Sequence, residues 1–423
     1  MAGSLARRLG TRDAVIIGLG SMIGAGVFAV FGPAARAAGS GLLIGLAIAA
    51  VVAYCNATAS AQLAAAYPTS GGTYIYGRER LGPWWGFTAG WGFVVGKTAS
   101  CAAMALTFAT YAVPGPAWVQ RVVAVAGVLG LAALNYRGVT KTVLLTRILV
   151  ACSLTALAVV VVGIVLSGHI EPSNLALPSG GVGGVLQAAG LLFFAFAGYA
   201  RIATMGEEVR DPERTIPRAI PIALFGAVAV YLVVGVAALL AAGPDRLATA
   251  TAPLTTAVQT VGAGGLAPVV RIGAALASLG ALLALIAGIG RTSLAMARHG
   301  DLPGWLAAVH PRHEVPHHAE IALAIVVSVV VATVDLRGVI GFSSFGVLIY
   351  YAIANIAAFT QSPEERRSPR WLNLLGVTGC VVLAATLPWQ SVLAGLVMFA
   401  FGLVYRLMSS KVRAWRRTSP SRP

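Results

Sequence analysis

The chain has 423 residues, of which 58% are hydrophobic and only 10% charged, with a mean hydropathy of +0.83. Soluble domains carry about 25% charged residues, so this composition excludes a string of soluble domains and predicts a polytopic membrane protein. The net charge of +16 would fit nucleic acid, but no basic patch is interleaved with aromatic residues, and the charges follow the loops between apolar runs.

Twelve membrane spans are predicted, at about 14–35, 41–66, 84–113, 119–135, 142–166, 182–205, 220–242, 269–297, 319–334, 339–359, 372–387 and 391–408. Spans 9 and 11 are short for the roughly 20 helical residues that cross a bilayer. Arg7 and Arg8 ahead of the first run, with Ala34 to Ala37 behind it, have the outline of a signal peptide. The run is too long for that role and many spans follow, so cleavage is not expected. Cys55, Cys101, Cys152 and Cys380 all fall in spans without paired spacing, as expected of small packing residues rather than disulfides or metal ligands.

Span 1 carries Gly18, Gly20, Gly24 and Gly26 within nine positions. Each glycine costs a helix interior roughly 1 kcal/mol relative to alanine. Backbone freed from a helix in hydrocarbon is tolerated only where it is buried in protein or lines a cavity. The stretch therefore predicts either a helix broken at a site or a set of packing notches. Span 6 has a lone Gly198 at mid-span and Arg201 before its end, which makes a second candidate break five spans after the first. Paired interruptions at matching places point to an inverted-repeat transporter.

The connections alternate in charge. One set holds Arg7, Arg8, Arg12, Arg78, Arg80, Arg137, Lys141, Arg147, Arg210, Arg214, Arg218, Arg291, Arg298, Arg312, Arg366, Arg367, Arg370 and the basic tail. The other holds Arg36, Arg121, Arg246, Arg271 and Arg337, about 23 positive charges against 5. By the positive-inside rule the rich loops and both termini are cytoplasmic, with anionic lipid headgroups as their partners. The expected organisation is a cytoplasmic N-terminus (1–13), a first five-helix repeat (14–181), a second, inverted repeat (182–361), two additional helices (362–408) and a basic tail (409–423).

Four ordered segments resemble the amino acid–polyamine–organocation (APC) superfamily. They are Gly20-Ser21-Met22-Ile23-Gly24-Ala25-Gly26-Val27-Phe28; the loop from Tyr67-Pro68 through Trp84-Trp85-Gly86-Phe87; Phe194 to Pro212, continuing through Ile216-Pro217-Arg218; and Arg291 to Pro303. The resemblance implies an all-α integral membrane protein of about 12 transmembrane helices, with a LeuT-like 5+5 inverted repeat and broken helices 1 and 6. It implies an amino acid as substrate, carried by alternating access across the cell membrane. The substrate carboxylate would meet the N–H groups of Gly24, Ala25 and Gly26, where a helix N-terminus offers free donors. Its ammonium would meet the carbonyls of Met22, Phe194 and Ala197, with the Phe194 ring as a lid or as plain packing.

The chain departs from that pattern in three places. Ala200 stands where many relatives carry an acid, which argues against a cationic substrate. Ser153 stands where proton-coupled relatives often carry a helix 5 lysine. Its hydroxyl is expected to ligate sodium or to bond within its own helix. Lys97 lies about 13 residues from the inner end of span 3, roughly 20 Å deep, and charges at such depth mark functional sites by default. In the arginine/agmatine antiporter the aligned position touches substrate. Lys97 is thus a candidate for proton coupling, substrate contact or structure, and Arg201 for coupling, snorkelling or pairing with Glu207 or Glu208. A proton or sodium ion is the expected partner ion, with no cofactor, metal centre or nucleic acid.

His310, His313, His317 and His318 flank span 9 and are expected to be solvated, although the spacing alone could hold a metal. Glu207 to Arg214 reads as a solvated or gate-side network. No phosphate-binding loop, nucleophile elbow or zinc-protease motif appears, so no enzyme is expected. The short predicted tail favours a transporter over a membrane nutrient sensor, its rival from another class.

Overall fold

The structure is a computed structural model that describes residues 9–69, 71–137, 142–175, 180–203, 209–313 and 315–418. The described residues are helical, turn or coil, apart from one parallel bridge between Leu9 and Val209. In chain order the helices are α1 Thr11–Met22, α2 Ala25–Ala29, α3 Phe31–Ala38, α4 Leu42–Ala66, α5 Thr73–Leu81, α6 Pro83–Ala112, α7 Ala117–Tyr136, α8 Thr142–Leu166 and α9 Gly181–Phe196. They continue with α10 Ala200–Ala203, α11 Pro212–Thr249, α12 Pro253–Thr260, α13 Ala267–Arg298, α14 His317–Thr333, α15 Leu336–Phe359, α16 Arg370–Ala385 and α17 Trp389–Thr418.

Ten helical runs among these residues are long and apolar enough to cross a membrane. Two shorter apolar helices, α14 and α16, fall where spans 9 and 11 were predicted to be short. The boundaries follow local chemistry. Gly82 takes φ +102° and Pro83 opens α6 at its first position, where a missing N–H costs nothing. Asp335 caps α15 by accepting a hydrogen bond from the Gly338 N–H, as N-cap acids do. In α11 the helix is interrupted at Gly243, φ +71°, ahead of Pro244, one residue past the predicted end of span 7.

Two helices lie in predicted loops. α5 occupies the connection between spans 2 and 3, and α12 that between spans 7 and 8. Both are amphipathic or mixed rather than continuously apolar, so a search for membrane spans passes over them. α11 also begins eight residues before the predicted start of span 7, because Pro212 at its first turn favours a helix start that hydropathy does not register.

The bundle is layered around α6 and α15. Both are buried along most of their length, whereas few residues of α7 are buried. These two helices cross at glycines: a Cβ on Gly96 would lie 3.3 Å from the Gly346 Cα, and one on Gly346 would lie 2.9 Å from the Gly92 carbonyl. Small residues at a crossing let backbones approach, which is how helices associate in lipid without a hydrophobic driving force between them. Phe225, Ile272, Ile325 and Phe401 are exposed on the outside, where acyl chains would cover them.

Candidate functional site

The first helix breaks where the glycines predict. α1 ends at Met22, and Ile23 and Gly24 leave helical geometry at φ −78°, ψ 61° and φ −111°, ψ −141°. The Gly24 N–H turns back to the Met22 carbonyl at 2.8 Å, and the chain re-enters helix at Ala25. Val30 is right-handed helical and bonds to Gly26, so α2 runs directly into α3. The second break is a 3₁₀ turn over Ala197–Tyr199 between α9 and α10.

The two breaks touch. A Cβ on Gly198 would run into the Ser21 carbonyl oxygen and the Met22 nitrogen. Only glycine fits there, because the obstacle is backbone rather than a movable side chain. Gly24 abuts Ala281 of α13, and Gly26 abuts the Ala195 backbone of α9. In this conformation both glycines are close-packing positions as well as part of the break. A single hydroxyl spans the junction: Tyr231 Oη on α11 lies 2.6 Å from the Met22 carbonyl and 2.9 Å from that of Ala195. Its one proton is shared between an acceptor in each broken helix.

The predicted residues come together around this junction, Met22, Ala25, Gly26, Phe194 and Ala197 all being buried. Lys97, 4% exposed, reaches across from α6 and donates from Nζ to the Ala197 carbonyl at 3.0 Å. The Tyr351 hydroxyl on α15 lies 3.4 Å from the same oxygen. Two of the three carbonyls expected to meet a substrate ammonium are thus already bonded to side chains, Met22 by Tyr231 and Ala197 by Lys97 and Tyr351.

Ser153 on α8 lies beside the first break. Its hydroxyl bonds within α8, to the Leu149 carbonyl at 2.7 Å. It also lines a cavity of about 30 Å³ with Ser21, Ile23, Thr146, Ala277 and Gly280, enough for water or a small ion but not an amino acid. Arg201 is half-buried in α10 and makes its own contacts. Its expected partners Glu207 and Glu208 lie outside the described residues.

Each end of the bundle is tied across elements. At one end, Arg210 N–H bonds the Leu9 carbonyl at 2.9 Å, and Arg147 pairs with Asp13. Asp301, 3% exposed, accepts from Tyr74 at 2.9 Å, Arg406 at 3.0 Å and Arg78 at 3.3 Å, joining α5, the end of α13 and α17. Arg406 also lies over the Trp84 and Phe87 rings. Arg80 bonds Glu365 at 2.5 Å, which holds that carboxyl below its ordinary range. At the other end, Arg36 and Arg337 both reach the Ala248 carbonyl, at 3.4 and 3.1 Å.

His310, His313 and His317 gather, partly exposed, around the Tyr136 ring, and the His318 ring lies tilted beside Trp305. Among the described residues no three His, Cys, Asp or Glu side chains are placed to hold one metal ion; the His310 Nδ1 is taken by the Arg312 and His313 N–H groups.

Sequence reasoning passed over Tyr231 and Asp301. Tyr231 had a signal: a phenol in an otherwise apolar span must find a hydrogen-bond partner. Asp301 lay at a predicted span end among arginines, and nothing local marks it as buried.

Comparison with known proteins then identifies the family. The family described as amino acid permease matches residues 9–405. A protein named an uncharacterized transporter of Mycobacterium tuberculosis is 60% identical over 414 residues, covering 97% of this chain and 93% of that protein. The branched-chain amino acid permease BcaP of Bacillus subtilis is 27% identical over 439 residues, covering 96% and 94%. Cationic amino acid transporter 7, chloroplastic, of Arabidopsis thaliana is 28% identical over 414 residues, covering 91% and 71%. These relatives are transporters rather than enzymes. With two broken helices meeting in the centre of a multi-pass helical bundle, and a family match over nearly its whole length, this chain belongs to the amino acid permease family of the APC superfamily.

Proposed function

We propose that the protein is a secondary active permease of the cell membrane that carries a neutral, apolar amino acid by alternating access. The observation that carries this is the junction of the two breaks, where Gly198 seats against the Ser21–Met22 backbone and Tyr231 joins both helices. Residues 14–181 and 182–361 form the two inverted repeats, 362–408 adds two helices, and the arginine-rich loops with both termini face the cytoplasm. The substrate carboxylate binds the N–H groups of Gly24, Ala25 and Gly26, its ammonium binds the carbonyls at the breaks, and Phe194 covers it.

Three observations support an apolar, neutral substrate. Ala200 replaces the acid of many relatives. The Lys97 ammonium at the junction repels a second cation. One relative is named for branched-chain amino acids. Ion coupling has three candidates. Lys97 reaches the Ala197 carbonyl, Ser153 borders the small cavity, and Arg201 follows the second break. Lys97 is the proposed proton carrier.

Purified protein in proteoliposomes is expected to take up or exchange radiolabelled leucine above protein-free controls. Lys97→Gln is expected to keep binding or exchange while losing the response to an imposed pH gradient. Binding of amino acids without uptake or exchange would instead identify a sensor. An unchanged pH response in Lys97→Gln would remove Lys97 from coupling.

A further inference from the structure

Lys97 is an alkylammonium held against the carbonyl that the proposed site offers to another alkylammonium. The Ala197 oxygen belongs to the 3₁₀ turn between α9 and α10, where the α-helical bonding pattern is interrupted. Lys97 Nζ donates to it at 3.0 Å from an almost fully buried position. Among the described residues no carboxylate lies within ion-pair distance of Lys97. Its counterpart is therefore the partial negative charge of backbone carbonyl, the same kind of acceptor that a substrate α-ammonium requires.

We propose that Lys97 is a tethered stand-in for the substrate ammonium: its Nζ holds the Ala197 carbonyl until the substrate displaces it, so the junction accepts one ammonium group at a time. This deepens the permease reading and rests on it. Two ammonium groups sharing one carbonyl would lie within a few ångströms of each other, in surroundings too apolar to screen them. Substrate entry therefore requires that Lys97 leave, and the work of moving it weakens substrate binding. The same exclusion bars amino acids with a second cationic group near the junction. It also separates two roles that mutation of a site lysine usually confounds. An anchor for the substrate carboxylate strengthens binding, whereas a competitor for the ammonium acceptor weakens it.

The test uses three ligands that differ in one group each: leucine, 4-methylpentanoate, which lacks the amine, and isopentylamine, which lacks the carboxylate. Affinity is measured by calorimetry on wild type and Lys97→Met in detergent. Lys97→Met is expected to bind leucine and isopentylamine about tenfold more tightly or better, with 4-methylpentanoate unchanged. If Lys97→Met does not remain monodisperse, Lys97→Gln removes the same charge and carries the same expectation. Leucine affinity that is unchanged or weaker in the uncharged variants overturns the proposal, and a parallel loss for 4-methylpentanoate would make Lys97 a carboxylate anchor instead. Should neither wild type nor variant bind leucine or any other of the twenty amino acids, the permease site itself falls. That result is distinct from a wild type that binds and a variant that binds worse.

Discussion

Gly198 and Gly288 are both buried glycines in membrane helices, and the space around them gives opposite expectations. A Cβ at Gly198 meets the Ser21 carbonyl and Met22 nitrogen, whereas one at Gly288 meets nothing within 4 Å. Gly198→Ala must push two backbones apart, an overpacking that costs about 1–3 kcal/mol, and it should abolish transport because it opens the junction itself. Gly288→Ala adds a methyl to open space and gains up to roughly 1 kcal/mol in helix propensity. Melting temperatures in detergent, read beside uptake, check the pair: a tolerated Gly198→Ala would show that the breaks need not touch. The glycines of the first break are harder to interpret by mutation. Gly24 and Gly26 already abut Ala281 and Ala195, so a bulky substitution there disrupts packing whether or not the N–H groups bind substrate.

The helices are held at one end by ion pairs of different character. Asp301 is buried and serves Tyr74, Arg78 and Arg406 at once, drawing α5 and α17 onto the end of α13. Asp301→Asn leaves two guanidinium groups without their counter-charge, and the expected loss is about 3 kcal/mol, the low end for a buried pair because Arg78 is partly exposed. The Arg80–Glu365 pair is solvated, and salt and water leave such pairs little to contribute. Since the hydrogen bond from Arg80 lowers the Glu365 carboxyl from its ordinary range, its small contribution is complete above that range and is lost as the pH falls through the lowered value. Thermal melts should therefore show a large drop for Asp301→Asn at neutral pH. Glu365→Gln should show a slight drop at neutral pH that vanishes in acid. Equal drops for both variants would mean that Asp301 is not the fastening residue.

On the scale of the molecule, each end of the bundle carries contacts between elements distant in sequence. Leu9 bridges Val209 at one end, and Arg36 and Arg337 converge on the Ala248 carbonyl at the other. The proposed alternating access would require the contacts at each end to open in turn. In a background without Cys55, Cys101, Cys152 and Cys380, the double variant Leu9→Cys, Val209→Cys places two thiols on a parallel bridge where oxidation can join them. Oxidation is expected to stop leucine uptake and reductant to restore it, with binding retained from the opposite side. Undiminished uptake by the cross-linked protein would show that this end need not open.

The membrane character, most of the long apolar spans and both helix breaks were legible in the amino-acid order. Apolar run length and glycine density act locally and need no partner to be read. The family was legible for a related reason: its motifs are four short continuous stretches, two of them at those breaks. The short helices α5 and α12 were missed because hydropathy along the chain does not separate a short polar or mixed helix from a loop. The tertiary structure alone decided which groups meet. That Lys97 ends on the Ala197 carbonyl, one hundred residues away, that Tyr231 spans the two breaks, and that Asp301 is buried between two arginines all depend on how helices cross. A hydrogen bond or an ion pair is set by the separation of two atoms in space, and nothing in either residue's sequence neighbourhood specifies that distance.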